Sequence, residues 1–75
     1  MVWTREAPKG DSGWYWFYGF VEGGWMGPTI LWCWDGGYES LVTDHPDTGM
    51  KVETRYLDAY WLGPIPVPDL PIEIA

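Results

Sequence analysis

Five consecutive aromatic residues, Trp14-Tyr15-Trp16-Phe17-Tyr18, constrain this chain more than any other feature of its sequence. Bulky rings pack well on a pleated surface and lose rotamer freedom in a helix, so the run predicts a strand over 14–21, ended by Gly23-Gly24. Its apolar residues fall on both parities, Trp14/Trp16/Tyr18 on one and Tyr15/Phe17 on the other. A strand with one solvated face would alternate with polar residues instead. Two arrangements meet this demand. Either the sheet curls into a small barrel whose outer face is covered by Trp3 and a proline-rich tail, or its second face meets a partner.

The rest of the chain continues in the same pattern. Gly27-Pro28 precedes Thr29-Ile30-Leu31-Trp32-Cys33-Trp34, a second strand over 29–34. Asp35-Gly36-Gly37 supplies positive-φ positions for a tight hairpin with a glycine bulge, and 38–44 returns as the third strand. His45-Pro46-Asp47-Thr48-Gly49 has the chemistry of a type I turn, with 50–56 completing a second hairpin. A short closing strand is expected at 60–62. The prolines at 64, 66, 68 and 71 then exclude helix and central strand, so 64–75 is expected to be an extended tail. Residues 1–13 read as an irregular lead-in with Trp3 as an anchor. No window has helical periodicity beyond a single turn near Leu57. The expected fold is all-β, a small antiparallel meander or SH3-like barrel of four to five strands in one domain spanning 1–75, with most of Trp14, Trp16, Phe17, Ile30, Leu31 and Trp32 in the core.

Composition decides what holds such a fold. With one cysteine, Cys33, and one histidine, His45, in 75 residues, neither an internal disulfide nor a Cys/His zinc site is available. Stability must come from packing or association. Seven Trp, five Tyr and two Phe are more rings than one interior of this size normally encloses, so some are expected at the surface, where aromatic clusters mark contacts. Eleven Asp and Glu against four Lys and Arg give a net charge of −7, which lacks the basic patch of a direct nucleic-acid binder. It permits the inverse, an acidic surface that competes with nucleic acid for a basic protein groove, as well as a merely solubilising role. No apolar stretch reaches transmembrane length and no signal-peptide pattern is evident, so neither membrane insertion nor export is expected.

Ser12-Gly13-Trp14-Tyr15-Trp16, then Tyr60-Trp61-Leu62-Gly63-Pro64-Ile65-Pro66 and Pro68-Asp69-Leu70-Pro71, resemble the opening and closing motifs of a family of small phage and prophage proteins. These begin with a Pro-Gly-Trp-Tyr-Trp-like segment and end with Trp-x-Gly-Pro-Ile-x-x-Pro. The chain departs from that pattern at Asp11-Ser12, which stand where the family has Glu-Pro. The resemblance implies a phage setting and, with it, the host cytoplasm. Short acidic phage proteins often resemble inhibitors of host machinery, anti-CRISPR proteins among them.

Catalytic chemistry finds no foothold in the sequence. His45 beside Asp44 and Asp47 is explained as a turn, and Cys33 between two tryptophans reads as a small buried hydrophobe. No nucleophilic triad, P-loop or dinucleotide fingerprint is present. The chain is therefore read as a binding protein without a cofactor. Its leading role is inhibition of a host defence protein or complex by acidic mimicry of nucleic acid. The alternatives are a homo-oligomeric sponge that sequesters a nucleotide signal on its rings, and a carbohydrate-binding or structural module of the virion. The candidate contact residues are Trp25, expected in a flexible glycine loop, Trp34 and Tyr38, expected to stack across the Asp-Gly-Gly turn, and the carboxylates Glu39, Asp47 and Glu53.

Overall fold

In a computed structural model that describes residues 2–66, the chain forms five antiparallel strands in one open sheet. These are β1 (Gly13–Val21), β2 (Gly24–Trp34), β3 (Val42–Asp44), β4 (Lys51–Glu53) and β5 (Ala59–Ile65), in the spatial order β4-β3-β2-β1-β5. The first four make a meander, and β5 returns to the free side of β1. Of the two expected architectures the sheet takes the open one. The only helical element among the described residues is a 3-10 turn at Thr54–Tyr56.

Several boundaries differ from the sequence reading. Expected at residue 29, β2 instead begins at Gly24, because Glu22-Gly23 makes the turn by itself and Val21 pairs directly with Gly24. Trp25 is therefore a strand residue opposite Phe20 and does not lie in a loop. Pro28 is tolerated inside β2 for two reasons. The register slips opposite Phe17–Gly19, and β3 pairs only with Cys33 and Trp34, so no neighbour needs the missing N–H. Gly27 permits the slip with φ +113°, and a Cβ there would stand 2.6 Å from the Phe17 carbonyl oxygen. β5 runs past the expected 60–62 through Gly63-Pro64 to Ile65, with a second register shift between Trp14 and Trp16. This is acceptable because β5 lies at the sheet edge. The expected tail at 64–75 thus begins as strand, and 67–75 lie outside the described residues.

Asp35-Gly36-Gly37 does not make a tight hairpin. Gly37 N–H donates to the Asp35 carboxylate at 2.9 Å, and the chain wanders until Val42, so the third strand is 42–44 and not 38–44. The detour drops Leu41 into the core, where its N–H donates to the Pro8 carbonyl. The fourth strand likewise ends at Glu53, ahead of the 3-10 turn, and not at 56. The 45–49 turn forms as expected, with the His45 Nδ1 accepting from the Asp47 N–H at 3.0 Å.

The core lies on one face of β1, β2 and β5. Tyr15, Phe17, Cys33, Leu41, Ala59 and Trp61 form it, and the lead-in crosses below with Pro8 buried and Thr4 bridged to Trp61. Alternation then sends the opposite parity outward. Trp14, Ile30 and Trp32 are 40–43% exposed and Trp16 only half-buried, which corrects the core expected for them, whereas Leu31, opposite Tyr15 on the inward parity, is half-buried and packs against the core. Only Phe17 of that set is fully enclosed. Two residues cannot both lie inside when they are neighbours on a strand and only one face has a covering layer.

Candidate functional site

Two surfaces stand out, and the sequence-derived contact residues divide between them. The first is the end of the sheet formed by β3, β4 and the segments around them. The loop after β2 brings Tyr38 beside Val42, while the 3-10 turn swings Tyr56 back toward the same strands. Together with Lys51, Val52 and Glu53 they line an open depression of about 330 Å³. Tyr38 and Tyr56 are 66% and 68% exposed, and Met50 nearby on the hairpin is exposed as well. Asp44 and Asp47 are exposed on that hairpin, and the Glu39 side chain is 80% exposed.

Glu53 has a different role from the one expected. It is buried, its Oε1 accepts the Ser40 N–H at 2.9 Å, and Arg55 Nε lies 2.9 Å from the same oxygen. Arg55 also donates to Glu39 at 2.9 Å through Nη1, donates its backbone N–H to the Ser40 hydroxyl oxygen at 3.1 Å, and lies over the Tyr56 ring at 4.7 Å. Glu53 is therefore the post that ties the loop to β4 and orients Arg55, and through it Tyr56. Burial by itself would raise the Glu53 carboxyl, but the Ser40 N–H and the Arg55 guanidinium outweigh it and hold the group below its ordinary value of 4.5.

A carboxyl depressed in the folded state contributes stability that is present above its unfolded value and lost as pH falls through the folded one. The gap in urea midpoint between wild type and Glu53→Gln should accordingly be open above pH 4.5 and close on acidification below it. Parallel pH curves for the two proteins would show that this carboxylate is not the titrating group.

The second surface is the outward face of β1, β2 and β5. Trp25 stacks on Tyr18 with centroids 5.3 Å apart and planes 13° from parallel, and meets Phe20 edge-on at 5.9 Å. Trp14 tilts against Trp32 at 5.3 Å. Trp3, Tyr18, Pro28 and Tyr60 surround an open apolar hollow of about 410 Å³, where Arg5, paired with Asp58, covers Tyr60. Trp34, half-buried, sits opposite Val42 in register and is the outermost ring of β2. It is 66%-exposed Tyr38 that leaves the strand ladder, so the two expected to stack belong to different environments.

The sequence reading named contact residues that the structure divides, with Tyr38, Glu39, Asp47 and Glu53 at one end of the molecule and Trp25 and Trp34 on the aromatic face. It missed Tyr56, whose signal was the break of strand pattern at Thr54-Arg55-Tyr56, and it missed Tyr18, Phe20 and Tyr60. Tyr18 and Phe20 share an outward side with Trp14, which strict alternation counted from Phe17 would have revealed, and Tyr60 and Trp25 join them through the register of β5 and β2.

Cys33 is fully enclosed, and burial pushes its thiol up to about 11 even though Thr43 opposes the rise, so the thiolate is suppressed at neutral pH. Among the described residues no three His, Cys, Asp or Glu side chains lie close enough to hold a metal ion. No described helix is long and apolar enough to cross a membrane. No family model matches the chain, and no curated protein or solved structure is significantly similar to it.

Proposed function

We propose that the protein is a non-enzymatic, phage-encoded inhibitor that binds a host defence component in the manner of an anti-CRISPR protein. Its working surface is the β3–β4 end, which it presents to a basic groove that ordinarily receives nucleic acid. The observation that supports this reading is the pairing of Tyr38 and Tyr56, both about two-thirds exposed, across one depression beside the carboxylates of Glu39, Asp44 and Asp47. Tyrosine is among the residues that anchor protein interfaces, while rim carboxylates steer association with a basic partner. Residues 35–56 carry five acids against Lys51 and Arg55, so the end is acidic in its own right. The resemblance to phage proteins in the Gly-Trp-Tyr-Trp and Trp-Leu-Gly-Pro-Ile motifs supports the setting.

The test is a titration against a CRISPR effector complex purified without its DNA target. Affinity should fall as salt rises from about 0.1 M, where charges are screened over about 10 Å. Asp44→Lys and Asp47→Lys should slow association with the melting temperature almost unmoved, since exposed charges contribute little to stability. Tyr38→Ala and Tyr56→Ala should instead speed dissociation about tenfold or more, as hot-spot truncations of over 1 kcal/mol do. Affinity indifferent to salt and to all four variants would overturn the proposal. Nucleotide or glycan retained in native mass spectra of the purified protein would replace it with the sponge or the virion module.

A further inference from the structure

We infer that the outward aromatic face of β1 and β2 is the interface of a symmetric homodimer, in which two copies stack face to face into a β-sandwich. The inference is independent of the inhibitory function proposed above, which uses the opposite end of the sheet.

Strands with large apolar side chains on both faces belong in the middle layer of a structure. Here one face is covered by the lead-in and by Leu41, Thr54 and Leu57, but among the described residues only Trp3 and Arg5, at the Tyr60 margin, lie against the other. Trp14, Tyr18, Phe20, Trp25, Ile30 and Trp32 are each between 37% and 49% exposed there. Taking about 200 Å² for each large side chain, and adding Trp3 and Tyr60, the face offers on the order of 600–700 Å² of apolar surface. Monomers rarely leave a larger patch open, whereas one side of a standard interface is about 800 Å². The area is thus close to what a stable dimer needs from each protomer.

The uncharged centre of the face admits a second copy as occupant. No ionisable acid or base points outward from the centre of this face, whose outward positions on β1 and β2 are all aromatic or aliphatic. Carboxylates lie at its margins and on the β3–β4 end. Two copies, each with net charge −7, can therefore bring the rings together while their acids stay in solvent at the rim. A two-fold axis through the face makes the patch its own complement, and the roughly 10 Å spacing of packed sheets gives interdigitating rings room.

This arrangement has a salt signature opposite to that of the acidic docking end. Rim repulsion between two acidic protomers weakens as salt screens it, and burial of apolar surface is not weakened by screening, so the dimer should tighten as salt rises from about 0.1 M to about 1 M. The experiment is sedimentation equilibrium of the full chain over a range of concentrations at both salts. The expected result is a reversible shift from 8.6 kDa to twice that mass, at lower concentration in high salt. Trp32→Glu and Trp25→Glu, which place charges toward the two ends of the face, should each raise the dissociation constant at least a hundredfold with the far-UV spectrum unchanged, and Tyr38→Ala should leave it unaltered. Ile30→Thr, a milder change, serves if either glutamate variant unfolds, and should raise it about tenfold. A wild type that stays monomeric at every concentration and both salts would overturn the inference, whether its rings are open to acrylamide quenching or already shielded by the chain itself. A dimer indifferent to all three substitutions on the face would overturn it equally.

Discussion

Trp61→Ala should leave the protein largely unfolded at 37 °C. Trp61 is 1% exposed at the middle of β5, lies opposite Phe17 in register, and meets that ring edge-on with centroids 5.2 Å apart and planes 67° from parallel. Its backbone also exchanges both hydrogen bonds with Thr4, so the ring and the lead-in share one support. Truncating a buried tryptophan costs about 3–5 kcal/mol, while small domains hold only about 0.05–0.15 kcal/mol per residue in all. Trp32→Ala is the matched control. Trp32 is 43% exposed and touches Trp14 alone among the rings, so its loss should cost about 0.5–1.5 kcal/mol when measured on dilute protein. Thermal unfolding followed by circular dichroism decides the matter. Equal losses for the two would mean that the sheet buries both faces, and the division between core and surface drawn above would be wrong.

Gly19→Ala should destabilise by about 1–3 kcal/mol although it adds only a methyl group. A Cβ at residue 19 would stand 2.4 Å from Phe17 Cζ and 2.7 Å from the Ala59 Cβ, closer than real Cβ contacts come. Phe17 is fully enclosed against Trp61 and has nowhere to retreat. The mechanism can be separated from a general cost of alanine in this strand by a double-mutant cycle. Phe17→Leu removes the ring tip that would be struck, so the double variant should be less destabilised than the sum of the single ones by at least about 0.5 kcal/mol. Additive losses would assign the effect to the backbone and not to the overlap.

Much of the fold was legible in local chemistry because turn residues and strand runs are short-range signals. Gly23, the 45–49 turn and the strand character of Trp14–Val21 needed nothing from the rest of the chain. Pro28 and Pro64 misled for a specific reason. A proline excludes only a strand whose N–H must be donated, and whether a neighbour demands it depends on sheet order, which the sequence does not print. The choice of inward parity was lost in the same way. Trp16 and Phe17 are both strand formers of similar apolarity, and what separated them was the position of Pro8, Leu41 and Thr54 far away in sequence. Glu53 is the clearest case at the candidate site. Read as an exposed carboxylate, it proved to be a buried partner of Ser40 and Arg55, because residues 35–41 fold back over β4 and do not continue the ladder.

The edges of the sheet bear on how the protein behaves when crowded. On the β5 side the bridge from Thr4 occupies the Trp61 backbone, and the irregularity at Gly63-Pro64 interrupts the row of free amides beyond it. On the other side β4 offers three residues, headed by the exposed Lys51. Among the described residues a new strand would find few aligned donors and acceptors at either margin, and edge addition is the route by which sheets grow into filaments. Association is left with a direction perpendicular to the sheet, where one meeting of faces exhausts the available surface. So aromatic-rich a chain would otherwise be an aggregation hazard, and the face-to-face dimer inferred above would close after a single step.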